Sequence, residues 1–314
     1  STGLVQIYLQ LFNSGLFLKK QKSKLNKMIF SNEELLKILP SGGPKLAEVQ
    51  KYIDKYNEDY IVIKCGGSVL IDQILFDQLI EDISILNKLG LNIIVVHGGG
   101  KNIKKKLDEA KLKSKFINGL RITDENTIKI VKEALTELNH EIINKLEDKN
   151  CEGISFSTNN KNIIKVVQIN KELGFVGNPT KVNSSLILNE VKNKKVPIIV
   201  PMGLDENNNI FNINADTAAG AIAKTINSRR LLLMTDVEGV LDIEKKLVPE
   251  INTKDAEKMI NDQIISGGMI PKIKTCLDAI NNGVTGVVIV DGRRSHSILF
   301  ELFSDKGAGT LIRK

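Results

Sequence analysis

The stretch Tyr60-Ile61-Val62-Ile63-Lys64-Cys65-Gly66-Gly67-Ser68 decides how the rest of the chain is read. Its apolar, β-branched run predicts a buried strand. The run ends in a lysine and two glycines. Glycines let a backbone approach a ligand closely, and a lysine beside exposed amides suits phosphate. The same design recurs in Leu91-Asn92-Ile93-Ile94-Val95-Val96-His97-Gly98-Gly99-Gly100. Two strand-to-glycine exits in close succession point to one polyanion held between two loops.

Working outward from these strands, residues 44–57 carry apolar side chains at 46, 49, 52, 53 and 56, with Pro44 near the start, where proline is tolerated. Helical spacing returns over 73–89 and stops at Gly90. A basic helix is expected from about Gly100. A long one is expected from Asp124 to about 147, with Thr123 as N-cap. Residues 154–178 alternate and turn as β-hairpins do. Helices are expected near 183–194, 216–223, 269–279 and 295–303, and strands at 196–200, 231–234 and 286–290. Thr310-Leu311-Ile312 reads as an edge strand. Strands and helices alternate, so the fold class is α/β with a mainly parallel sheet.

Composition narrows the field. The 314 residues suffice for one large domain or two lobes. Of the net charge of +7, Lys19, Lys20, Lys22, Lys24 and Lys27 supply +5 in a stretch without acids, which leaves 7 − 5 = +2 elsewhere. That distribution reads as a solvated basic tail, not a nucleic-acid surface. Cys65, Cys151 and Cys276 have no metal-ligand spacing and cannot all pair, as expected in a reducing cytoplasm. No apolar run reaches the ~20 residues of a membrane span. Residues 1–27 read as an upstream extension or a targeting remnant; their charges follow the apolar stretch, the reverse of a secretory signal.

Further signals surround the glycine loops. Arg121, in Asn118-Gly119-Leu120-Arg121-Ile122-Thr123, precedes a helix and can fork onto a carboxylate. Asp216 opens a small-residue helix in Asn212-Ile213-Asn214-Ala215-Asp216. Thr235-Asp236-Val237-Glu238-Gly239 follows a strand, and Gly267-Gly268-Met269-Ile270-Pro271-Lys272 leads into a helix. Each alone is equally a corner turn, a surface ion pair or a helix-dipole complement. Neither a P-loop nor a G-x-G-x-x-G fingerprint follows the first strand. His97, His140 and His296 read as structural or regulatory groups, and Cys65 as a packing residue.

In this order, the segments resemble the amino-acid kinase family over about residues 58–314. Within it, the N-G-L-R-x-T and N-x-N-A-D segments are most similar to the kinases of N-acetyl-L-glutamate. The resemblance implies a three-layer αβα sandwich with a mainly parallel central sheet and an N-terminal helical extension. Residues 1–57 would be that extension, with an oligomerisation helix at 44–57. Residues 58–228 would form the amino-acid lobe and 229–314 the nucleotide lobe. The implied reaction is ATP-dependent phosphorylation of the side-chain carboxylate of N-acetyl-L-glutamate, in arginine biosynthesis, with Mg²⁺ carried on the nucleotide and no protein metal site.

Under that resemblance Lys64 and Lys272 flank the transferring group and contact nucleotide, Asp216 holds both lysines, and Gly67, Gly99 and Gly100 offer backbone amides. Arg121 and Asn212 bind the amino acid. Thr235, Asp236, Gly239, Gly268 and Met269 meet the nucleotide. The acceptor carboxylate, with a reference pKa near ~4.3, is ionised at neutral pH, so the chemistry calls for cations and amides and not for a general base. Feedback by arginine and a dimer or hexamer are further expectations, with His296 and Arg230 as candidate regulatory residues. Lys306 departs from the pattern, since an acid is expected before Gly307-Ala308-Gly309-Thr310. An aspartokinase is the nearest alternative, though such chains usually carry C-terminal regulatory repeats for which this one ends too soon. A non-catalytic sensor is the other, but it would have no use for paired lysines.

Overall fold

A computed structural model describes residues 29–314; the basic stretch 1–27 lies outside the described residues. In chain order the elements are α1 (Asn32–Ile38), α2 (Leu46–Tyr56), β1 (Tyr60–Cys65), a 3₁₀ turn (Gly67–Leu70), α3 (Gln73–Lys88), β2 (Asn92–His97) and α4 (Gly100–Glu109). A short hairpin of β3 (Phe116–Ile117) and β4 (Leu120–Arg121) precedes α5 (Glu125–Glu147) and β5 (Gly153–Phe156). Then come β6 (Ile164–Gln168), β7 (Gly177–Val182), α6 (Ser184–Lys192), β8 (Val196–Ile199), β9 (Met202–Leu204), β10 (Ile210–Asn212) and α7 (Ala215–Thr225). The last third holds β11 (Arg230–Thr235), β12 (Glu250–Asn252), α8 (Thr253–Asn261), α9 (Met269–Asn281), β13 (Val287–Asp291), α10 (Ser297–Phe303) and β14 (Gly309–Arg313).

Eight strands form one sheet in the order β12-β14-β13-β11-β1-β2-β8-β5. Its centre is parallel and buried on both faces, which is why β1, β2, β11 and β13 read as unbroken apolar runs. Side chains alternate between the layers. Ile61, Ile63 and Cys65 pack with α2, α3 and α10, whereas Val62 packs with α6, α7 and α9. The arrangement is the α/β three-layer sandwich expected. β1 pairs directly with β11, so one continuous sheet runs across the junction near residue 229. A separate four-stranded sheet, β10-β9-β6-β7, carries Asn212 at one end.

Several details differ from the sequence reading. β14 is not an edge strand: it runs antiparallel to β13 and is covered on its far side by β12. β12 buries only Ile251, too little for a periodic signal. β5 joins the main sheet beside β8 and is not part of a hairpin. The N-cap of α5 is Asp124, whose carboxylate accepts from the amides of Asn126 and Thr127 at 3.1 and 2.7 Å. Thr123 is buried, and its hydroxyl donates to the Arg121 carbonyl. Helix α2 turns Val49, Tyr52, Ile53 and Tyr56 into its own subunit's core.

Candidate active site

Parallel strands deliver their C-terminal ends to one edge of a sheet, where loops can meet a ligand. β1 and β2 do this side by side. The Gly98 amide donates to the Cys65 carbonyl at 2.6 Å, so the two glycine loops touch. A Cβ on Gly98 would lie 3.5 Å from Cα of Gly66, and one on Gly66 would lie 3.1 Å from Nζ of Lys64. A side chain on Gly66 would crowd the Lys64 ammonium group. Gly67 has φ +70°, the left-handed region that glycine enters without strain.

Lys64, at the end of β1, points into the cleft between these loops and α7. Asp216 sits in the first turn of α7, which Asn214 caps by accepting from the amides of Asp216 and Thr217. Lys272 lies in the first turns of α9, after Pro271. The three converge. Lys64 Nζ is 3.0 Å from Asp216 Oδ1, and Lys272 Nζ is 2.5 Å from Oδ2. The shorter Lys272 contact is a charge-assisted hydrogen bond, and Lys64 faces the other oxygen of the same carboxylate. The three side chains are only 12–14% exposed. Burial pushes the Asp216 pKa up, but the two ammonium groups more than reverse this and hold it at about 2. One carboxylate facing two lysines leaves a net positive charge beside the glycine loops.

A cavity of 200 Å³ opens next to this triad, lined by Lys64, the two glycine loops, Arg121, Phe116 and Asn212. Arg121 is buried. Its guanidinium donates to Ser114 Oγ and to the Gly100 carbonyl, and it lies 4.7 Å from the Phe116 ring centroid. Burial lowers its pKa. The β3–β4 hairpin, turning through Asn118 and Gly119 at positive φ, thus holds a cation at the mouth of the cavity. Gly99 does a second job, because a Cβ there would collide with Leu135 Cδ2 of α5.

The other sequence-predicted residues distribute as follows. Asp236, after β11, accepts from the Ser68 amide at 2.9 Å and stands beside Gly67. Thr235 accepts from the Gly292 amide through its carbonyl. Gly239 packs on β14, where a Cβ would lie 2.6 Å from Thr310 Oγ1. Gly268, the N-cap of α9 just before Met269, has open space where a Cβ would stand. The two regulatory candidates are not brought together. Arg230 lines a second cavity of 280 Å³ between α2 and α10, whereas His296 pairs with Asp82 of α3 at 2.6 Å.

His97 has a structural place: its Nδ1 donates to the Gly98 carbonyl at 2.7 Å, which leaves Nε2 to accept from Asn139. Burial pushes its pKa down to about 4. Cys65 is likewise buried, its thiol pushed up to about 12 by burial. Ser68, Lys101, Ser114 and Phe116 belong to the site neighbourhood and had no sequence signal of their own. Among the described residues, no three His, Cys, Asp or Glu side chains group as a metal centre, and no helix is long and apolar enough to cross a membrane.

Known proteins fit this geometry. An acetylglutamate kinase of Pelagibacter ubique is 57% identical over 282 residues, covering 90% of this chain and 98% of its own length. One from Clostridioides difficile is 44% identical over 274 residues, covering 86% and 96%. The crystal structure of N-acetylglutamate synthase from Neisseria gonorrhoeae, complexed with coenzyme A and N-acetyl-glutamate, superposes with a TM-score of 0.78 over 85% of this chain. This chain spans 62% of that synthase, and at 20% identity the likeness is one of fold. The sequence model of the amino acid kinase family matches residues 59–291. A match of that extent, joined to identities of this size, makes the chain a member of the amino acid kinase family.

Proposed function

We propose that the chain transfers the terminal phosphoryl group of ATP to the side-chain carboxylate of N-acetyl-L-glutamate, a step of arginine biosynthesis. The observation that carries this reading is the buried Lys64–Asp216–Lys272 triad beside two glycine loops, in a chain 57% identical to an acetylglutamate kinase. The acceptor arrives already ionised, so no proton need be removed. One acceptor carboxylate oxygen forms a bond to phosphorus as the bond to the bridging oxygen of ADP breaks, and ADP leaves with that electron pair. The obstacle is repulsion between two anions. Lys64 and Lys272 offset it, Asp216 fixes both ammonium groups, and the amides of Gly67, Gly99 and Gly100 receive phosphoryl oxygens.

Arg121 and Asn212, both on the cavity wall, suit the α-carboxylate and neighbouring polar groups of the amino acid. Asp236 and the open loop at Gly268 and Met269 suit the nucleotide, with Thr235 and Gly239 framing it. Magnesium would ride on the ATP phosphates and lower their charge. The three buried free cysteines suit a reducing cytoplasm. The test is ADP release with N-acetylglutamate, glutamate, aspartate and UMP offered in parallel. Activity confined to N-acetylglutamate is expected, and preference for another acceptor would replace the assignment.

A regulatory reading has its own observation. The 280 Å³ cavity is lined by Tyr52, Tyr56, Arg230, Glu250, Glu301 and Asp305, among others. Lys55 and Lys306 line it too and, with Arg230, would repel a guanidinium, while the carboxylates of Glu250, Glu301 and Asp305 supply its counter-charges. Arginine is the proposed effector, and a dimer or hexamer the proposed assembly. Activity unchanged by millimolar arginine would end the first proposal, and a monomeric mass in light scattering the second.

A further inference from the structure

Lys101, the second residue of α4, brings a third ammonium group to the mouth of the phosphoryl site. Its Nζ lies 2.8 Å from Ser68 Oγ and 3.8 Å from Asp236 Oδ2. Ser68 follows Gly67 in the first glycine loop, and its amide donates to the other oxygen of the same Asp236. A Cβ on Gly67 would lie 2.7 Å from Asp236 Oδ1. The second glycine loop, through Lys101, and the end of β11, through Asp236, therefore close over the first glycine loop from opposite sides.

The lysine is lightly held. It is 51% exposed and Asp236 40%, and their separation is long for an ion pair, so the contact contributes little to stability. Its helix neighbours are tied differently: Lys104 is closed on Asp108, and Lys106 on Glu133 and Glu137. Lys101 also stands in the first turn of a helix, where the backbone dipole disfavours a cation and favours an anion. A residue that breaks this local rule points to a role outside folding. The charge balance agrees. Lys64 and Lys272 share one carboxylate and leave 2 − 1 = +1, whereas a nucleotide triphosphate meeting a carboxylate brings several negative charges.

We infer that Lys101 is a third phosphate-binding cation, which leaves Asp236 for the donor's terminal phosphate oxygens when ATP enters. The inference rests on the phosphoryl-transfer reading above.

The test uses the full chain with Lys101→Met and Lys101→Arg. ADP release is measured against ATP and N-acetylglutamate separately, beside calorimetric binding of magnesium–ATP without the amino acid. Lys101→Met is expected to weaken ATP, in KM and in calorimetry, about tenfold, to leave the N-acetylglutamate KM and the melting temperature unchanged, and to be largely rescued by arginine. Equal ATP affinity in Lys101→Met and wild type would overturn the inference. A defect confined to the amino acid, or a fall in melting temperature matching the loss, would do the same. A wild-type chain that binds ATP but releases no ADP with N-acetylglutamate would instead overturn the acceptor assignment, while the calorimetry still decides the role of Lys101.

Discussion

The Lys272 ammonium lies 2.5 Å from Oδ2 of Asp216, tying the start of α9 to the start of α7. Asp216 is the shared counter-charge of two lysines, and its carboxyl is held at about 2, so it stays ionised across the physiological range. Asp216→Asn keeps the shape and removes the charge. The two ammonium groups would then face each other uncompensated. Stability is expected to fall by about 2 kcal/mol, read by urea unfolding, and turnover by more than about a hundredfold. Unchanged stability would mean that the lysines do not depend on this carboxylate.

Arg121 lines the cavity beside the triad together with Asn212. Arg121→Ala is expected to raise the KM for N-acetylglutamate about tenfold or more and to leave that for ATP within about twofold. A defect selective for ATP would reverse the assignment of the two sides of the cleft.

Gly67 combines a φ of +70° with a Cβ position 2.7 Å from Asp236 Oδ1. Gly67→Ala is expected to cost about 1–2 kcal/mol and to weaken ATP binding, since the methyl displaces Asp236 and with it the Ser68 amide. Thermal melting and ATP titration check the two effects. A variant as stable and as tight as wild type would show that the loop tolerates a side chain.

The His296–Asp82 contact joins α10 to α3 and sets a pH dependence. Burial raises the Asp82 pKa from 3.8 to about 6, and the hydrogen bond that His296 donates to the Asp82 carboxylate raises the His296 pKa above 6.5. Both folded values exceed the unfolded ones, so the folded chain binds more protons. Stability from this pair is present at low pH and lost as pH rises through about 6 and past the His296 value. The melting temperature of wild type is expected to decline relative to the Asp82→Asn, His296→Gln double variant as pH rises from about 4 through about 6, and to decline further above 6.5. Parallel curves for the two proteins would contradict this.

Much of the site is legible because it stands where periodic signals break off. Lys64, Gly66 and Gly67 end a β-branched run, and Gly98, Gly99 and Gly100 end another. Asp216 opens a helix of small residues, and Lys272 follows a glycine pair. Lys101 carries no such mark: with Lys104, Lys105 and Lys106 it resembles the solvated face of a basic helix, and only folding brings it to Asp236. The partnership of Ser68 and Asp236 spans 168 residues and has no local trace. β14 misleads because its outer neighbour, β12, is three residues with one buried side chain. Thr123 and Asp124 are both good N-caps, and tertiary burial of Thr123 decides between them.

The central claim is that two cations from distant parts of the chain act on one transferring group. Lys64→Ala and Lys272→Ala, each purified and shown by circular dichroism to be folded, test it in a single ADP-release assay with N-acetylglutamate. Each is expected to turn over at about a thousandth of the wild-type rate or less. A near-normal rate from either folded variant would contradict the mechanism.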